Sequence, residues 1–178
     1  MPAARMFNGP SGVALDECIL APLNRIRDDA WLADLVPHSC VNAQQQTALE
    51  RSYMPRLLEW TLPVPSVPAV PSALANSARQ DEIAAELIES QARIVILLGD
   101  EPIRWFSSRW YPRCRRLADF GTNVDTYGQL TEATVAGVRV ALLPLAHPRQ
   151  VAKLGRSSAR WYDLHQHWTA HQASTVLS

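Results

Sequence analysis

The chain has 178 residues, 47% hydrophobic and 19% charged, the balance of a folded globular domain, which excludes a disordered or fibrous chain. Its 17 basic and 17 acidic side chains leave no net charge, so no overall field draws in nucleic acid and any such partner must be held by a local patch. Three scattered cysteines, Cys18, Cys40 and Cys114, form no CxxC pair, which argues against a zinc ribbon or a disulfide framework.

Residues 10–23, "PSGVALDECILAPL", place Val13, Leu15, Ile19, Leu20 and Leu23 at three- and four-residue spacings, so a helix is expected there with Ser11 as its cap. "AWLADLVP" (30–37) reads as a short buried strand stopped by proline. Residues 43–60 read as a helix interrupted near Pro55, and the proline-rich 62–74 as an ordered extended crossover. Residues 77–92 carry Ile83, Leu87 and Ile88 on one helical face, with Ser77 as cap. They run into "RIVILLGD" (93–100), the clearest buried strand, and "EPIRWFSSRW" starts another helix at its end. Residues 111–136 show no clear pattern; "VRVALLPLAH" (138–147) is a third strand, and 149–171 a closing helix.

Alternating helices and strands predict one α/β domain over 1–178, a three-layer sandwich around a central parallel sheet, with functional residues at the carboxyl ends of strands. No apolar run reaches the roughly 18 residues of a membrane span, and no secretory h-region opens the chain. The expectation is therefore a cytoplasmic protein with no membrane partner. With no GxGxxG or Walker loop, no cofactor is expected.

Three strand ends offer polar groups: Asp34, then Gly99-Asp100-Glu101, then His147. Taken singly, such residues more often cap their own turns. On one rim of a parallel sheet, Asp34 and His147 would face a common ligand. Arg149, Lys153, Arg156 and Arg160 follow at spacings of four, three and four, the solvated face of one helix; "GRSS" beside the His-Pro turn adds hydroxyls and amides that suit phosphate. His165 and His167 stand two apart, which splays them on a helix. A metal pair wants three or four, so packing or surface roles are expected and no metal site.

As a whole the pattern resembles the uracil-DNA glycosylase superfamily, particularly the branch with the bacterial and archaeal family-four and family-five enzymes. Four segments carry the resemblance in order across the chain: "FNGPSGVALDE" (7–17), "AWLADLVPHSCVN" (30–42), "IVILLGDEPIRWF" (94–106) and "LPLAHPRQ" (143–150). The resemblance implies a protein that flips a base out of DNA and hydrolyses its N-glycosidic bond. It maps the stacking aromatic to Phe7, the base-reading residue to Asp34, and the histidine that stabilises charge on departing uracil to His147. It maps the wedge and phosphate grip to Pro148, Arg149 and Gln150, with Arg156, Ser157 and Ser158, and a phosphate-facing turn to Gly9, Ser11 and Gly12.

Three departures qualify those expectations. Only "MPAARM" precedes Phe7, so the family's first strand and its Gly-Glu-Ala-Pro-Gly type motif are expected to be missing, and excision to be weak or absent. The base reader is typically asparagine, whereas an ionised Asp34 only accepts and would repel uracil O4. Cys40 stands near one cluster-ligand position, but Arg51 and Ser52 occupy the region of the next, so no iron–sulfur cluster is expected. The expected partner is DNA, held weakly by a local patch. The alternative is a non-catalytic nucleobase- or nucleic-acid-binding module; a small-molecule hydrolase ranks last, for want of a G-x-S-x-G elbow.

Overall fold

A computed structural model describes residues 9–38, 40–64, 66–155 and 157–177; Phe7 and Arg156 lie outside the described residues. Pro10 opens α1 (Pro10–Leu15), which runs on as a π turn (Asp16–Leu20) and a 3-10 turn (Ala21–Leu23). Gly9 is its N-cap with no side-chain bond, so Ser11 does not cap it. Next come α2 (Ala43–Ser52), α3 (Met54–Glu59), α4 (Ser77–Ser90), β1 (Ile94–Leu98), α5 (Asp100–Trp110) and α6 (Leu117–Phe120). The chain ends with β2 (Thr131–Val135), β3 (Val138–Leu145), α7 (Pro148–Val151), α8 (Ala159–His171) and α9 (Ala173–Val176).

The protein is mixed α/β. Among the described residues the sheet has three strands in the order β1–β3–β2, with β1 and β3 parallel and β2 and β3 antiparallel. The expected all-parallel sheet is corrected here: the antiparallel strand comes from 111–136, the stretch without a clear pattern. Ala136 (φ 46) and Gly137 (φ +85) form a two-residue hairpin between β2 and β3. Positive φ at both positions matches the twist of adjoining strands.

Pro144 in the central strand is tolerated for a geometric reason. Ala141 N–H donates to Arg93 O and Leu145 O accepts from Gly99 N–H, so odd-numbered residues of β3 face β1. Pro144 faces the other side, beyond the last β2 pair, Thr131 with Leu142. Its missing N–H therefore breaks no ladder bond.

Two other expectations are corrected. Residues 30–37 form no strand; Trp31 is 55% exposed there, and the backbone is irregular and turning. The closing helix is two helices, because Lys153 (φ 53) and Gly155 (φ +74) adopt left-handed backbone between α7 and α8. Arg149, Lys153 and Arg160 therefore share no single helical face.

The chain divides into two compact units, Met1–Ala33 with Gln80–Ser178, and Asp34–Arg79. The larger holds the apolar core: Ile19 and Leu23 from the amino-terminal helical run, Ile103 from α5, Leu142 and Leu145 from β3, and Trp168 from α8. In the smaller, α2 opens with a capping box in which Asn42 Oδ1 accepts from Gln45 N–H and Gln45 Oε1 from Asn42 N–H, each at 2.9 Å. Tyr53 separates α2 from α3, and the proline-rich stretch pairs through one parallel bridge, Val41 with Ala69. Neither helix buries a residue. No helix among the described residues is long and apolar enough to cross a membrane.

Candidate functional site

The parallel pair β1–β3 ends in one rim. Leu98 pairs with Leu145, and Gly99 N–H donates to Leu145 O at 2.8 Å. The chain then leaves β1 through Gly99 into α5, and β3 through Ala146 and His147 into α7. Gly99 has φ +89, and a Cβ there would stand 2.9 Å from His147 Cβ, so glycine is what lets these two exits approach. A cleft of about 240 Å³ opens at the rim, with Gly99, Asp100, Glu101, His147, Gln150 and Trp161 in its lining. That is below the roughly 300–1,000 Å³ of drug-sized sites and suits a small planar ring.

His147 is exposed and forms the N-cap of α7, with Nδ1 accepting from Arg149 N–H at 3.1 Å. In the neutral ring the proton therefore sits on Nε2. Asp100 and Glu101 stand in the first turn of α5, where the helix end favours carboxylates. Asp100 Oδ1 accepts from Leu117 N–H at 2.8 Å, and Glu101 pairs with Arg104 at 2.6 Å.

Behind the rim runs a buried polar chain. Tyr127 Oη lies 3.0 Å from Ala146 N and 2.8 Å from His165 Nδ1, and His165 Nε2 lies 2.7 Å from Cys18 O. The ends fix the protons, since Ala146 N–H can only donate and Cys18 O can only accept. His165 thus carries its proton on Nε2, Tyr127 O–H donates to Nδ1, and the Tyr127 oxygen accepts from Ala146. Cys18 O has no amide four residues on, because that residue is Pro22, and the imidazole takes the place. Burial pushes the Tyr127 phenol well above the usual phenol range and holds the His165 imidazolium below the ordinary value.

No family model matches this chain, and no curated protein matches it.

The predicted site residues divide as follows. His147 and Gln150 line the rim cleft, and Pro148 is buried behind them. Arg149 is exposed, with Nη2 where a Cβ on Gly155 would stand 2.9 Å away. Ser157 Oγ donates to Arg149 O at 3.1 Å and Ser158 N–H to Gln150 Oε1 at 2.9 Å, so both serines use those donors inside the loop. Gly9, Ser11 and Gly12 open α1; Gly12 and Val13 amides bond back to Gly9 O, and Arg27 donates to Gly12 O at 2.7 Å. Asp34 is exposed in an irregular loop of the smaller unit, its carbonyl accepting from Arg79 at 2.7 Å. Its expected pairing with His147 rested on a strand at 31–36, and that basis is gone.

Beside His147 in the cleft stand Asp100 and Glu101. Their signal was present in Gly99-Asp100-Glu101 at the end of the most apolar strand. Tyr127 and His165 carried no local signal, because their partnership spans 38 residues.

Proposed function

We propose that the protein is a nucleobase-binding α/β protein of the uracil-DNA glycosylase type, a cytoplasmic base-excision protein whose helices cover a central sheet in three layers. The observation that carries the reading is His147 at the carboxyl end of the central strand, its Nδ1 engaged by Arg149 N–H, in a cleft the size of a small ring. With its proton on Nε2 the imidazole is a donor for uracil O2, where negative charge gathers as the N1–C1′ bond breaks. Water forms the new bond to C1′ and gives up its proton. Asp100, in the same cleft, is the carboxylate suited to accept it. The two acidic residues make the cleft itself unfit for phosphate, so the DNA backbone is held outside it, by Arg149 and its neighbours.

A second reading, a non-catalytic nucleobase- or nucleic-acid-binding module, is favoured by the engagement of both carboxylates, Asp100 with Leu117 N–H and Glu101 with Arg104. One assay separates the two. A single-stranded oligonucleotide with one uracil is incubated with the wild type, H147A and D100N, and both free base and bound DNA are measured. The glycosylase reading expects uracil release that falls about 10²- to 10³-fold in H147A. The binding reading expects no release, but uracil-dependent binding that H147A weakens. If the wild type neither releases uracil nor prefers the uracil strand, both readings fail.

A further inference from the structure

We propose that His167 and His171 form a binding site on α8 for a borderline transition-metal cation such as Zn2+ or Ni2+, independent of the rim cleft. His165 and His167 are splayed, as their two-residue spacing requires, and His165 is fully buried with both ring nitrogens engaged. His171 lies four residues after His167, one helical turn on, which places the two rings on the same side of α8. Their centroids are 4.5 Å apart with the planes tilted by 50°. His167 Nδ1 is buried with no hydrogen-bond partner among the described residues, so this ring offers Nε2. His171 is exposed at the last residue of the helix.

Two imidazoles one turn apart are a ligand pair for Zn2+, Ni2+ or Cu2+, and softer or harder cations fit them less well. Asp163, four residues before His167, is exposed and falls on the same stripe, a carboxylate within one turn of the pair. No group of three or more metal-ligating side chains is preassembled among the described residues. His167 also lacks the carboxylate or carbonyl that steadies the second nitrogen of a resident-metal histidine. The site is therefore an exchangeable one, with water completing the coordination. A bound ion would brace the end of α8, where the chain turns into α9.

The test is calorimetric titration of the untagged full chain with ZnCl2 and NiCl2 in a non-chelating buffer, with circular dichroism to verify folding. One ion should bind per chain, and H171A, an exposed substitution, should weaken binding by about tenfold or more. H167A should do the same, and D163N should weaken it less than either. His38→Ala, in the smaller unit, should change nothing. No binding at millimolar metal, or binding unchanged in both H167A and H171A, overturns the assignment. Loss in H38A as well would place the ion elsewhere.

Discussion

Tyr127 and His165 show how one residue's chemistry reaches the site without touching a ligand. Their buried chain ends on Ala146 N–H, the amide just before His147. Tyr127→Phe keeps the ring packing against Trp168 but removes the oxygen, leaving Ala146 N–H and His165 Nδ1 buried and unpaired. Each such group costs about 1–3 kcal/mol, so the variant should lose about 2–6 kcal/mol in denaturant unfolding. A loss below about 0.5 kcal/mol would mean that water or repacking satisfies both groups. The same chain sets an acid dependence. Burial lowers the folded-state pKa of His165, so the folded protein resists a proton that the unfolded chain accepts. Stability should therefore be full above the ordinary imidazole value of about 6.5, fall as pH drops below it, and level off under the lowered value. His165→Gln, which can still accept from Tyr127 and donate to Cys18 O, should flatten that part of the profile. An unchanged profile would assign the acid response to other groups.

At the scale of elements, the β2–β3 hairpin holds a correctable strain. Ala136 sits at φ 46, left-handed backbone that its Cβ disfavours, whereas asparagine tolerates it before a glycine. A136N should stabilise the protein by about 0.5–1 kcal/mol, read as a higher denaturant midpoint with an unchanged slope. A lower midpoint would show that the turn tolerates no side chain larger than alanine. The hairpin also shows why parts of the fold were legible and others not. β1 and β3 announce themselves as unbroken apolar runs, "IVILL" and the second half of "VRVALLPL". β2, "TEATV", buries only Ala133 and Val135, too few positions to rise above a loop pattern, and its Ala-Gly turn lacks the usual Asn or Asp. "AWLADLVP" has the composition of a strand, but strand formation needs a partner, and none of its residues pairs in a sheet. Hydrophobic pattern reports what a segment prefers to bury, not whether a neighbour exists. The site divides on the same principle. His147 leaves a strand that the pattern identifies, whereas the strand expected to carry Asp34 does not form.

At the scale of the whole molecule, neutrality limits how DNA could be held. With 17 charges of each sign there is no long-range attraction, so affinity must rest on a few cations near the rim. Arg160 donates to Thr122 O at 2.8 Å, and Lys153 Nζ lies 3.6 Å from the centre of the Tyr162 ring, so both have structural partners. Arg149, exposed two residues after His147, is the cation we assign to phosphate, together with Arg156 by its place in the sequence. Binding should then be weak, with log K falling by about 0.9 per neutralised phosphate for each unit of log salt in duplex, or about 0.7 in single strands. Replacing Arg149 and Arg156 together by alanine should weaken binding to every sequence and flatten that slope by about one to two. The comparison for simple loss of charge is Arg25→Ala, since Arg25 is exposed and, among the described residues, its side chain bonds only to its neighbour's carbonyl. Arg27 is unsuitable for that purpose: it pairs with Asp16 at 2.6 Å and donates to Gly12 O, so its loss would loosen the amino-terminal helix. A salt titration of the three proteins decides the matter. If R25A matches the wild type while the double variant loses affinity and slope together, the segment after His147 holds the DNA backbone. Equal slopes in all three, or no binding even at low salt, would make that segment a structural loop and leave the cleft to a free small molecule.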